Sequence, residues 1–162
     1  MMSREPGAGR ESVWDYPRPP RVEAESRLVK VVFNGEAIAE SSRALRVLET
    51  SHPPNIYVPI EDVSPGVLVR NPRRTVCEWK GAAHYWDVRA GEVTAPAAAW
   101  SYPQPNRGYE MIADHVSFYP GRMDACYLGE ERAEPQPGEF YGGWITDDVV
   151  GPFKGGEGTR GW

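Results

Sequence analysis

A mainly β fold, a small half-open barrel or β-tent of short antiparallel strands with one or two short helices, is predicted by three features of the chain. Gly 17 and Pro 16 make up about a fifth of the 162 residues, against a usual share near ~12%, and so many helix breakers exclude a bundle. Short β-branched and aromatic runs recur with turn signals at intervals of roughly 8–12 residues. Asn34-Gly35, set between the runs Leu28 to Phe33 and Glu36 to Glu40, supplies the two left-handed positions of a type I′ turn, the strongest hairpin signal in the chain.

Taken in order, residues 1–27 read as an extended arm, because Pro17, Pro19 and Pro20 remove backbone donors and bias their neighbours away from helix. Trp14 and Tyr16 are too apolar to leave in water, so the arm is expected to dock them on the domain or on a partner. Residues 28–132 form the β-domain. After the Asn34-Gly35 hairpin, Ala44 to Glu49 is too short for an isolated helix and is read as a strand. Asn55 to Ile60 and Gly66 to Arg70 are extended, with one helical turn at Glu61-Asp62-Val63. Thr75 to Lys80 and Ala83 to Arg89 flank Gly81-Ala82, Ala97 to Tyr102 adds a third extended piece, and a short helix near Tyr109 to Ala113 precedes a strand at His115 to Tyr119. Residues 133–162 begin as an acidic, solvated linker and end as a Gly/Trp-rich strap. Trp144, Ile145, Val149 and Phe153 among many glycines should lie across the domain.

The composition, 40% apolar and 25% charged, is that of a chain able to bury its own core without disulfides or a structural metal. A net charge of −5 offers no footprint for nucleic acid and no polybasic membrane patch. Cys77 and Cys126 form no Cys-x-x-Cys pair, and with no signal segment or long apolar run the expectation is a cytoplasmic, soluble protein. His52, His84 and His115 show no ligand spacing, so neither a metal nor a cofactor is expected. Gly156-Glu157-Gly158-Thr159-Arg160-Gly161 matches G-x-G-x-x-G but has one residue after it, where a dinucleotide site needs a helix. The Gly151 to Gly156 spacing of a phosphate loop likewise continues with Glu157 rather than its essential lysine.

Most chemistry converges on residues 75–102. With a turn centred on Gly81-Ala82, Cys77 pairs with Trp86 and Trp79 with His84, which gathers Cys77, Trp79, His84, Trp86 and Val88 on one face. Trp100 and Tyr102 share a face in the next strand. Converging tryptophans with a thiol and an imidazole make an aromatic cage for a flat or cationic ligand, or else simply fill the core of a small barrel. On the second face, Lys80 between Glu78 and Tyr85 suits phosphate or carboxylate, or else belongs to a solvated polar surface.

Separated strings carry a resemblance: Arg43-Ala44-Leu45-Arg46-Val47-Leu48-Glu49-Thr50, then Cys77-Glu78-Trp79-Lys80-Gly81 with Tyr85-Trp86, then Ala99-Trp100-Ser101-Tyr102-Pro103, then Phe118-Tyr119. Over roughly residues 28 to 132 the chain resembles the domain of unknown function 427 family, and its arm and tail resemble extensions of bacterial members. The usual family string has Pro where Glu78 stands and a bulky aromatic or acidic residue where Pro120 stands. The resemblance implies no established activity, although one name in use for the family implies a nucleotidyltransferase. Such chemistry needs clustered carboxylates on a strand, and the tail offers only the Asp147-Asp148 doublet. The spacing of Trp79, Trp86, Trp100 and Tyr102 is also similar to the cage of the thalidomide-binding domain family, a β-tent fold, without its zinc cysteines.

The expected function is therefore binding of a small flat or cationic ligand at Trp79, Trp86, Trp100 and Tyr102, with Cys77, His84 and Arg46 as nearby polar groups. The competing readings are a thiol enzyme and an interaction module with no catalytic site. In the enzyme, Cys77 is the nucleophile, His84 its base, and Lys80 or Arg46 the anion-stabilising cation. The Trp14 arm and the Trp144 strap are the surfaces through which copies of the chain would associate.

Overall fold

Alternation of buried and exposed side chains along short strands builds two stacked antiparallel sheets in the computed structural model, which describes residues 10–138, 141–155 and 159. β1 (Glu11–Ser12) runs into a 3-10 turn at Val13–Asp15, where the Trp14 N–H donates to Ser12 Oγ at 3.3 Å. β2 (Arg21–Ala24) follows the proline arm. β3 (Val29–Phe33) buries Val29, Val31 and Phe33 on one face, and Asn34-Gly35 turns it into β4 (Glu36–Ser41) with φ of 50° and 74° at the two turn residues. The hairpin is the one its sequence predicts, since glycine reaches that region without strain.

β5 (Leu45–Leu48) is a strand, as its shortness requires, and pairs with β6 (Asn55–Pro59). The long strands β7 (Leu68–Cys77), β8 (Gly81–Ala90) and β9 (Val93–Ser101) form a meander. After it come β10 (His115–Phe118) and β11 (Ala125–Leu128). The expected helices are single 3-10 turns at Ile60–Asp62 and Glu110–Ile112, and Pro120–Arg122 forms a further one. The chain is thus mainly β, with open sheets and, among the described residues, no closed barrel.

The larger sheet has the order β2-β5-β6-β10-β9-β8-β7. The smaller adds β12 (Glu131–Arg132) and runs β12-β11-β3-β4. Between them Val29, Val31, Phe33, Ile38, Cys126 and Leu128 meet Ile56, Val58, Val88, Val116 and Phe118 to form the main core. Because side chains alternate, the intervening residues of the larger sheet point outward. Tyr57, Tyr85 and Trp100 make a second apolar cluster there with Val47, Tyr102, Tyr109 and Ile112.

The acidic segment expected as a linker is tied into the sheets. β12 pairs with β11, while β13 (Glu134–Pro135) pairs with β14 (Trp144–Ile145). Its charges face water, yet Ala133 and Gln136 are buried, a pattern of inward small and amide side chains that net composition hides. Trp144 is fully buried, and its indole N–H donates to the Phe118 carbonyl at 3.1 Å. β15 (Val149–Val150) pairs in parallel with β1, and Trp14 Nε1 donates to the Pro152 carbonyl at 2.8 Å. Arm and strap therefore dock on each other within one chain. Phe140, Trp162 and, apart from Thr159, the 156–161 glycine string lie outside the described residues. No helix among the described residues is long and apolar enough to cross a membrane.

Candidate functional site

The β7–β8 turn decides which side chains meet. It spans Glu78-Trp79-Lys80, not Gly81-Ala82: Cys77 lies opposite Gly81, Thr75 opposite Ala83 and Arg74 opposite His84. Asn106 clamps the turn in this register; the irregularity between Asn71 and Arg74 lies beyond it and shifts the pairing by two positions, which keeps the faces. The Asn106 backbone N–H donates to the Lys80 carbonyl at 2.8 Å, and its side-chain amide donates to the Glu78 and Trp79 carbonyls at 3.3 Å. Gly81, at φ 111°, is left-handed, and a Cβ there would stand 3.1 Å from Asn106 Oδ1. The partner of Cys77 is Gly81 instead of Trp86, a displacement of five positions, and an odd displacement exchanges the two faces of a strand.

Two sequence expectations are corrected by that exchange, and a third by ion pairing elsewhere. Trp86 points to the main core, with Nε1 donating to Ser101 Oγ at 2.9 Å, while Tyr85 takes its place beside Trp100, its direct cross-strand partner. His84 stands on the face away from Cys77, near Arg74 and Arg70, which together with partial desolvation lower its pKa. A Cys77–His84 dyad is therefore not formed. Arg46 is 9% exposed but is held by Glu11 and Glu23 at 2.8 Å and 2.7 Å, so it belongs to the arm contact. Burial opposes its charge, and the two carboxylates outweigh this and raise its pKa.

The remaining expected residues, Cys77, Trp79, Lys80, Trp100 and Tyr102, converge on one recess of about 250 Å³ on the outward face of the larger sheet. Around it the rings are interlocked. Trp100 Nε1 donates to the Tyr57 hydroxyl at 3.1 Å, and the two rings meet edge-on at 6.3 Å. Tyr119 lies 4.5 Å from Trp100, and the Tyr85 hydroxyl is 2.9 Å from Thr75 Oγ1. Burial pushes the Tyr57, Tyr102 and Tyr119 phenols far up, so they stay protonated. Trp100, Tyr102 and Tyr85 are nearly buried by this packing, whereas Trp79 is half-exposed at the mouth. The Lys80 backbone N–H approaches Cys77 Sγ at 3.5 Å.

The sequence reading missed the groups that come from outside this meander. His52 lines the recess, its ring edge-on to Tyr141 at 4.9 Å. Gln136 Oε1 accepts from the Gly143 N–H at 3.1 Å, so its amide nitrogen donates to the Lys154 carbonyl and to His52 Nδ1. His52 Nδ1 is thereby an acceptor, and in the neutral ring the proton sits on Nε2. Burial, reinforced by Lys154, Lys80 and Arg18, pulls this imidazole down to about 4. The strap closes the recess with Tyr141, Gly142 and Lys154, whose ammonium lies 5.6 Å from the Tyr141 ring centre. A Cβ at Gly142 would meet Trp100 Cη2 at 2.3 Å, so the backbone itself rests on that ring. The Tyr-Gly-Gly run at 141–143 was the available signal, because paired glycines beside an aromatic mark a close backbone approach.

Of the other sequence candidates, Asp148 pairs with Arg27 at 3.3 Å and accepts from the Thr146 hydroxyl. Among the described residues no group of three His, Cys, Asp or Glu side chains is placed to hold a metal ion.

The arrangement defines a mainly β domain with a closed core on one face of its larger sheet and an aromatic recess on the other. The family model described as "Domain of unknown function (DUF427)" matches residues 21–129, and the chain belongs to that family. The match starts with β2 and ends just after β11, so Trp79, Lys80, Trp100 and Tyr102 lie within it, while Tyr141, Gly142 and Lys154 lie beyond it. A comparison with curated proteins gives no match.

Proposed function

We propose that this protein binds a small flat molecule in the recess between Trp79, Trp100 and Tyr141. The observation that carries the reading is a recess on the sheet face where Trp79, Trp100, Tyr102 and Tyr141 converge with two lysines. Its size of about 250 Å³ suits one bicyclic ring system and falls slightly below the usual range of ligand pockets. Lys80 and Lys154 in the wall disfavour the cationic ligand, because each cation would repel it in a site of reduced dielectric. Stacking on Trp79 and contact with the ring edges of Trp100 and Tyr102 would each contribute roughly 0.5–1.5 kcal/mol beyond area burial.

Isothermal titration with 2-naphthamide, a neutral bicyclic probe, tests the reading. Saturable one-to-one binding is expected, and Trp79→Ala should weaken it about tenfold, the equivalent of ~1.4 kcal/mol, while leaving the melting temperature close to that of the parent. No binding, or equal binding by Trp79→Ala, overturns it in favour of an interaction module whose rings only fill space.

A further inference from the structure

We propose that the recess selects a flat anion, a ring bearing one carboxylate or phosphate, with Lys80 as its principal counter-charge and His52 as a neutral hydrogen-bond donor. The inference rests on the aromatic-recess reading and deepens it.

Lys80 is 5% exposed, and lysine is among the residues least often buried without a partner. Among the described residues it forms no ion pair. The stem is what is buried; the ammonium lies 5.7 Å from the Tyr102 ring in the wall of the recess, a contact that leaves its charge open to a further partner. The carboxylates in the same wall do not neutralise it. Glu49 is engaged by Arg18 at 3.8 Å, and Glu78 is exposed at the outer edge, where water screens it. A second cation, Lys154, enters the wall from the strap. His52 has Nδ1 occupied by Gln136, which leaves Nε2–H as its remaining donor. A carboxylate or phosphate oxygen accepts from ammonium and imidazole N–H groups alike, and charge-assisted bonds of this kind are about twice as strong as neutral ones. A cationic ring would meet Lys80, and a neutral ring would leave its charge without a counter-ion.

The test compares matched probes on the full chain by isothermal titration: 2-naphthoate, 2-naphthyl phosphate and 2-naphthamide. The expected result is binding of at least one anion about tenfold tighter than the amide, with the preference shrinking as salt rises from 50 to 500 mM (about a threefold change in screening length). Whichever anion binds tighter identifies the acid group. Lys80→Gln should bring anion and amide to within about twofold of each other. If that variant does not fold, Lys154→Gln, at the strap, should reduce the same preference. Equal binding of all three probes by the parent overturns the anion selectivity and leaves the aromatic recess standing. An anion preference that survives both variants assigns it to another site and also overturns the proposal. Binding of none of the three removes the recess reading, and this inference with it.

Discussion

His52 shows how much one buried side chain can impose on the molecule. Its ring is 8% exposed and its pKa falls from 6.5 to about 4, so the folded protein resists a proton that the unfolded chain accepts. The sign follows directly. Above pH 6.5 neither state is protonated and nothing is lost; as pH falls from 6.5 towards 4, the unfolded state gains the proton first and stability declines. The full difference is on the order of 3 kcal/mol. His115 is shifted in the same direction by desolvation and adds to the trend. Urea unfolding at pH 7 and pH 5 should show the decline, and His52→Phe should remove most of the pH dependence even if it lowers stability at both values. An unchanged slope in that variant would refute the assignment.

At the scale of elements, two loops make the recess. The Glu78-Trp79-Lys80 turn is held by Asn106, and the strap is held by contact of Gly142 with Trp100. Gly142→Ala places a Cβ within 2.3–2.6 Å of the Trp100 ring, and overpacking of this kind costs about 1–3 kcal/mol. The expected outcome is faster proteolytic cleavage near residues 137–143 and weaker binding of the naphthyl probes, with the main core intact by circular dichroism. Because Trp144 still anchors the strap in the main core, the loosening should be confined to the part that faces the recess, without global unfolding.

Across the whole molecule, the arm and strap act as a clasp. Val13, Tyr16, Leu48 and Val149 form a small separate cluster at their junction, and Arg46 bridges Glu11 of β1 to Glu23 of β2. Removing the guanidinium leaves two carboxylates facing each other. Arg46→Leu should therefore lower stability by about 1–3 kcal/mol, the range for losing hydrogen bonds to charged groups, the carboxylates being partly wet. A melting temperature unchanged in low salt would show that the arm is held by its apolar contacts alone. The clasp also explains why Arg46, though part of a family-like string, serves the architecture and not the recess.

What the amino-acid sequence determines by itself is local. The Asn34-Gly35 hairpin, the β5 strand and the mainly β class follow from residues a few positions apart, where φ preferences and side-chain alternation act directly. The convergence of Trp79 with Trp100 and Tyr102 was legible in the same way, from spacing along neighbouring strands. The face of β8 was not. Tyr85 rather than Trp86 meets Trp100 through the β8–β9 pairing, and the turn clamped by Asn106 puts Cys77 on the Tyr85 face, an odd displacement from a turn at Gly81-Ala82. His52 enters through Gln136, 84 residues away in sequence, and Lys154 through a strap that follows the family region. Contacts of that range carry no local signature, because they exist only where both sheets and the strap are held together by burial of Trp144 and the main core. Tertiary packing thus decided which rings face the recess and which charges line it.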